Sequence, residues 1–95
     1  MRSEASWQEQ ETGIHFGGCW DHQSVAKAWV NLAPKEFLLA DVADITQLDS
    51  SFVALLACLS PVNRPLKLVG VSAQLVSLLT LYNLRSVFDL EQDAL

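Results

Sequence analysis

The chain has 95 residues, 51% of them hydrophobic, and six Lys and Arg against eleven Asp and Glu, for a net charge of −5. That length suits a single domain spanning 1–95, and no apolar run approaches the roughly 18 to 20 residues needed to cross a bilayer. The acidic balance disfavours any surface that must neutralise nucleic-acid phosphates or anionic lipid headgroups, so neither nucleic acid nor direct membrane insertion is expected.

The opening "MRSEAS" has no apolar core of a secretory signal, and a cytoplasmic location is expected. "SWQEQETGIHFGGCW" (6–20) follows, with Ile14 and Phe16 alternating against His15 beyond the turn signal Thr12-Gly13. This predicts a β-hairpin whose second strand is either weakened or bulged at Gly17-Gly18. In "DHQSVAKAWVNLA" (21–33), Val25, Ala28, Trp29 and Leu32 share one helical face, and Pro34 ends the helix. "FLLADVA" (37–43) reads as a strand covered on both faces, and "LKLVGV" (66–71) as a second buried strand. "SAQLVSLLTLYNL" (72–84) is again helical, with Leu75, Leu78, Leu79 and Tyr82 inward, and "SVFDL" (86–90) is a short last strand.

Three helix starts share one grammar: Trp20-Asp21 with Val25, Leu48-Asp49 with Val53, and Val71-Ser72 with Val76. Each is an apolar residue, a capping side chain, and an apolar residue able to staple back across it. Strands alternating with helices after a hairpin imply an α/β fold: a small mixed sheet, hairpin first and parallel strands after, flanked by three to four helices.

The middle helix, within "QLDSSFVALLACL" (47–59), is apolar on nearly every side. Phe52, Leu55, Leu56 and Leu59 form an inward face, which leaves Val53, Ala54, Ala57 and Cys58 pointing elsewhere. Either a neighbouring helix covers that second face, or a partner protein does. The outer positions of the last helix, Gln74, Ser77, Thr80 and Asn83, are also uncharged, which suits an interface flanking the first.

Little else suggests chemistry. Asp41, Asp44 and Asp49 cluster near a strand end, where acids can hold a metal, but Asp49 reads as a cap and Asp44 as a loop organiser. His15 and His22 are too isolated to suggest a ligand pair or dyad, and no glycine-rich phosphate loop is present. Cys19 and Cys58 fall in segments that read as buried and are expected to be reduced packing residues. Ser50 and Ser51 stand in the first turn of a helix, where a hydroxyl is either a cap or a phosphate acceptor. No enzyme, cofactor or metal is expected.

The order of elements, and above all "LLADVADITQLDSSFVALL", resembles the STAS family of sulfate-transporter and anti-sigma-factor-antagonist domains, over about residues 6–90. Ser6-Trp7, Gly18 to Asp21, Asp49-Ser50 and "GVSAQLVSLLTLYNL" are similar to its MlaB subgroup, the STAS subunits of phospholipid-transport ABC complexes. The resemblance implies a non-enzymatic subunit that binds the MlaF-type ATPase of the transporter. The uncharged helix surfaces make Asp44, Asp49, Ser50, Ser51, Val53, Ala54, Ala57, Cys58, Gln74, Ser77 and Thr80 the expected partner surface, with the partner's name taken from the resemblance, and leave open whether the chain forms a homodimer when that partner is absent. Ser50 corresponds to a Thr at the ATPase-binding surface, and Ser51 to the serine phosphorylated in anti-sigma-factor antagonists, which makes a serine-phosphorylated regulatory switch the alternative. Where the family has Gly after this pair, Phe52 stands here, and a bulky residue there is expected to alter how closely a partner approaches.

Overall fold

In a computed structural model, residues 4–32, 35–61 and 63–91 are described. The chain folds as β1 (Ser6–Glu9), β2 (Gly13–Trp20), α1 (His22–Leu32), β3 (Leu39–Leu48), α2 (Ser50–Leu59), β4 (Leu66–Val69), α3 (Ala73–Leu81), a 3-10 turn (Arg85–Val87) and β5 (Phe88–Glu91). The five strands form one sheet in the order β1-β2-β3-β4-β5, with β1 antiparallel to β2 and the remaining pairs parallel. This is the small mixed α/β architecture expected, with three α-helices.

Each step from β2 to β5 moves one place in the same direction. Right-handed crossovers therefore lay α1, α2 and α3 side by side on one face of the sheet, with α2 in the middle. One row of strand residues, including Ile14, Phe16, Ala40, Val42, Leu66, Leu68 and Phe88, is buried beneath the helices. The alternate row of Gln8, His15, Asp41 and Val69 runs in register across the opposite face. No described element covers it. The expectation that 37–43 and 66–71 are covered on both faces is thus corrected: β3 and β4 are buried on one side only, because all the helices lie on that side. The strand β3 is also longer than expected and runs on to Leu48, so "DITQ" is strand and not loop.

The helix starts follow their local grammar. Asp21 Oδ1 accepts the Ser24 N–H at 2.9 Å, Asp49 Oδ1 the Ser51 N–H at 2.9 Å, and Ser72 Oγ the Leu75 N–H at 3.2 Å. Each satisfies a backbone donor that the first helical turn leaves unpaired. The end of α3 comes three residues before the expected Leu84, for a backbone reason. Asn83 takes the left-handed conformation (φ 58°), its N–H donates to the Thr80 carbonyl, and the Leu84 N–H reaches back to the Leu79 carbonyl. That is a Schellman closure, which Asn tolerates better than most residues with a side chain.

Beneath α2 lies an aromatic cluster. The ring of Phe52 meets Phe16 edge-on at 5.0 Å and lies 5.3 Å from Trp20, and Trp20 also contacts Trp7 at 6.0 Å. The Trp20 indole N–H donates to the Gly17 carbonyl at 3.0 Å, so its one polar atom is paired inside the core. Of the two outcomes expected at Gly17-Gly18, the bulge is the one present: the register shifts there and Gly18 has φ 84°. A side chain at Gly18 would overlap the Glu4 carbonyl, so glycine is required both by backbone conformation and by close approach. No helix among the described residues is long and apolar enough to cross a membrane.

Candidate functional site

As the central helix of its layer, α2 has neighbours on both flanks, and this sets how much of it is buried. At about 100° per residue, the buried arc runs from Leu55 through Leu59, Phe52 and Leu56 to Val53, all inside the core. Val53, expected on the exposed side, is only 2% accessible. It occupies the fourth position after the Asp49 cap, where a side chain staples back over the residue preceding the cap, and Leu48 there is buried too. It also lies on the flank opposite Ser51, facing α3. Val53 therefore leaves the partner-facing set and joins the core.

The rest of α2 is a narrow solvent stripe. Ser50, Ala54, Ala57 and Cys58 are exposed and Ser51 is half-exposed, with no charged residue among them. Cys58 is therefore not the buried packing residue expected, whereas Cys19 is. Phe52 does not stand in the way of a partner as expected: its ring is wholly buried in the aromatic cluster, and the surface beside Ser51 remains small.

On α3, Gln74, Ser77 and Thr80 are exposed as expected, together with Leu81. Two of these side chains already have internal duties. The Gln74 amide donates to the Leu48 carbonyl at 3.0 Å, pinning the start of α3 to the strand that feeds α2, and Thr80 Oγ1 donates to the Val76 carbonyl at 2.9 Å.

The structure separates the acids. Asp49 caps α2, and Asp41 Oδ1 accepts the Ala43 N–H at 3.0 Å within β3. Asp44 is not a loop organiser beside α2. Its Oδ2 lies 2.8 Å from His15 Nε2, and His15 alternates with the buried Ile14 and Phe16, so the pair stands on the open face of the sheet, away from the helices. Asp44 therefore does not share a surface with Ser50 and Ala54, and His15 is not the isolated residue expected. A 29-residue separation across a parallel strand pair hid that contact. Among the described residues no three His, Cys, Asp or Glu converge as metal ligands would.

Sequence reading also missed Trp29. The i, i+3, i+4, i+7 pattern assigned it to the core, yet it is 37% exposed, because it sits on the flank of α1 that faces α2. There it lines an apolar groove of about 470 Å³ with His22, Val25 and Ala26 of α1 and Ser51 and Ala54 of α2. Helical periodicity places a residue on a face but does not show whether the neighbouring helix comes close enough to cover it.

The three helices together hold one charged residue, Lys27 of α1. The open sheet face carries Asp41, then Asp44 beyond the register shift in β3, and the paired Lys67 and Asp89 on β4 and β5. A solvated helix face ordinarily carries Lys and Glu, whereas the core of a protein interface is depleted of charge. No protein-family model matches this chain, and no match is found among curated proteins.

Proposed function

We propose that this chain is a non-enzymatic STAS-type subunit, similar to MlaB, which docks on the MlaF-type ATPase of a phospholipid-transport ABC complex and supports its assembly and activity. In that role it sits at the cytoplasmic side of the inner membrane through the transporter and contributes to outer-membrane lipid asymmetry. The observation that carries the reading is the uncharged, small-residue stripe of α2, exposed at the centre of a helical layer with a single charge. Asp49 fixes the start of α2, Ser50 and Ser51 present hydroxyls at the rim, and Ala54, Ala57 and Cys58 allow close approach. Gln74, Ser77 and Thr80 flank them. The named partner comes from the resemblance of "DITQLDSSFVALL" and "LYNL" to the family, and the two-layer architecture is compatible with it.

Binding to the purified MlaF-type ATPase of the same host tests this. Ser50→Arg and Ala54→Glu each place a charge in the centre of the stripe and should weaken binding at least tenfold, with circular dichroism unchanged. Wild-type affinity in both variants would sink the reading. Stoichiometric phosphate on Ser51 in protein from the native host, found by mass spectrometry, would instead favour a regulatory switch of the anti-sigma-factor-antagonist kind.

A further inference from the structure

The geometry points to a small-molecule site in the recess between β1 and the start of α1, one that takes a free amino acid with an apolar side chain. It stands apart from the proposed docking surface, on the flank of α1 turned away from α2. The recess has a topological origin. β1 enters the sheet through a hairpin and brings no crossover helix, so no described helix stands beyond α1 on that side. Trp7 pairs with the buried Phe16 and lies on the helix side of β1, where its ring covers part of the space against Trp20. What remains is a recess of about 320 Å³ lined by Trp7 together with Glu4, Cys19, Asp21, Ser24 and Lys27. It opens at the carboxyl end of β2, the end of parallel strands at which open α/β sheets hold their ligands.

Charge and shape together select the ligand. Among the described residues Lys27 and Glu4 enter no ion pair and no side-chain hydrogen bond, although both border this one recess. The backbone of Glu4 and Ala5 packs closely against Gly18, which holds that wall over the end of β2. Asp21 adds a second acid, with one oxygen already serving the Ser24 cap. A simple anion would meet Lys27 but face two carboxylates, and a simple cation would meet the carboxylates but face Lys27. A zwitterion satisfies both walls: its carboxylate pairs with the Lys27 ammonium and its ammonium with Glu4, through charge-assisted hydrogen bonds. Between them the half-buried Trp7 ring is an apolar wall on which a leucine or phenylalanine side chain would shed water. The volume stands at the lower end of small-ligand pockets, which suits an amino acid and not a larger cofactor.

The test follows the tryptophan indole resonances of the full chain by heteronuclear NMR as L-phenylalanine is added. The Trp7 indole should shift saturably, while that of Trp29, on the opposite flank of α1, should stay in place. Phenylacetate lacks the ammonium and phenethylamine the carboxylate, and each should bind at least tenfold more weakly than phenylalanine. Lys27→Met should abolish the preference for phenylalanine over phenethylamine, and Glu4→Gln the preference over phenylacetate. Both side chains are exposed, so circular dichroism should not change. Ser50→Arg, which probes the α2 stripe, should leave phenylalanine binding within twofold of wild type. A Trp7 indole that does not move at saturating phenylalanine would overturn the inference. Phenylacetate binding as tightly as phenylalanine would reduce the site to a lysine that attracts anions, and would overturn it too. Either failure would leave the proposed ATPase docking untouched, since that is read on a different face with a different partner.

Discussion

Asp21 shows how much one side chain can do at a helix start. Its Oδ1 accepts both the N–H and the hydroxyl of Ser24, at 2.9 and 3.1 Å, while its own backbone carbonyl takes the Val25 N–H. The Ser24 N–H, and after it the Ser24 hydroxyl, hold the Asp21 carboxyl below its ordinary value of 3.8. Because the pKa is lower in the folded chain than in the unfolded one, the unfolded chain takes up the proton first as pH falls. The stabilisation is therefore complete above the usual carboxylate range and is lost as pH drops through the folded value. Asp21→Asn keeps a capping oxygen but cannot titrate, so it should flatten the acid limb of a plot of melting temperature against pH while changing the neutral value little. An unchanged acid limb would show that the cap contributes nothing to pH dependence.

At the scale of the element, α2 is decided by where its one aromatic residue goes. Phe52 fills the space between Phe16 and Trp20, with edge-to-face geometry to Phe16, so the helix that presents a small-residue stripe outward is anchored inward by the largest side chain it has. A glycine at this position, as in the resembling family, would need another residue to fill that space. Phe52→Gly should cost at least about 3 kcal/mol in urea unfolding, from lost burial and the unfilled cavity together with the lower helix propensity of glycine. A loss below about 1 kcal/mol would mean that the cluster closes over the gap without it. Sequence periodicity identified the buried set Phe52, Leu55, Leu56 and Leu59 correctly. It placed Val53 on the outward face although the staple pairing with Leu48 also claimed that residue, and the structure buries it.

For the whole molecule, the division between a nearly uncharged helical layer and a charged open sheet face is the main result. The charges that give the chain its acidic balance are largely kept off the helices, so the protein can be repelled by polyanions and still offer an apolar surface to a protein partner. Asp44 was grouped with Ser50 by nearness in sequence, but a residue on the far side of a sheet cannot reach a partner seated on the helices. Asp44→Asn and His15→Gln should therefore leave affinity for the MlaF-type ATPase within twofold of wild type, in contrast to Ser50→Arg. A tenfold loss in either would show that the partner wraps onto the sheet face.

The sequence by itself determined the elements, their order, the capped starts of all three helices and most of the core, since these depend on spacing and on side-chain chemistry within a few residues. Charge-free helices were legible in the same way. Tertiary structure alone decided that the helices share one face of the sheet, that Val53 is covered while Trp29 is not, and that His15 meets Asp44 across two strands. Those outcomes depend on crossover handedness and on how closely neighbouring elements approach, which no local pattern encodes.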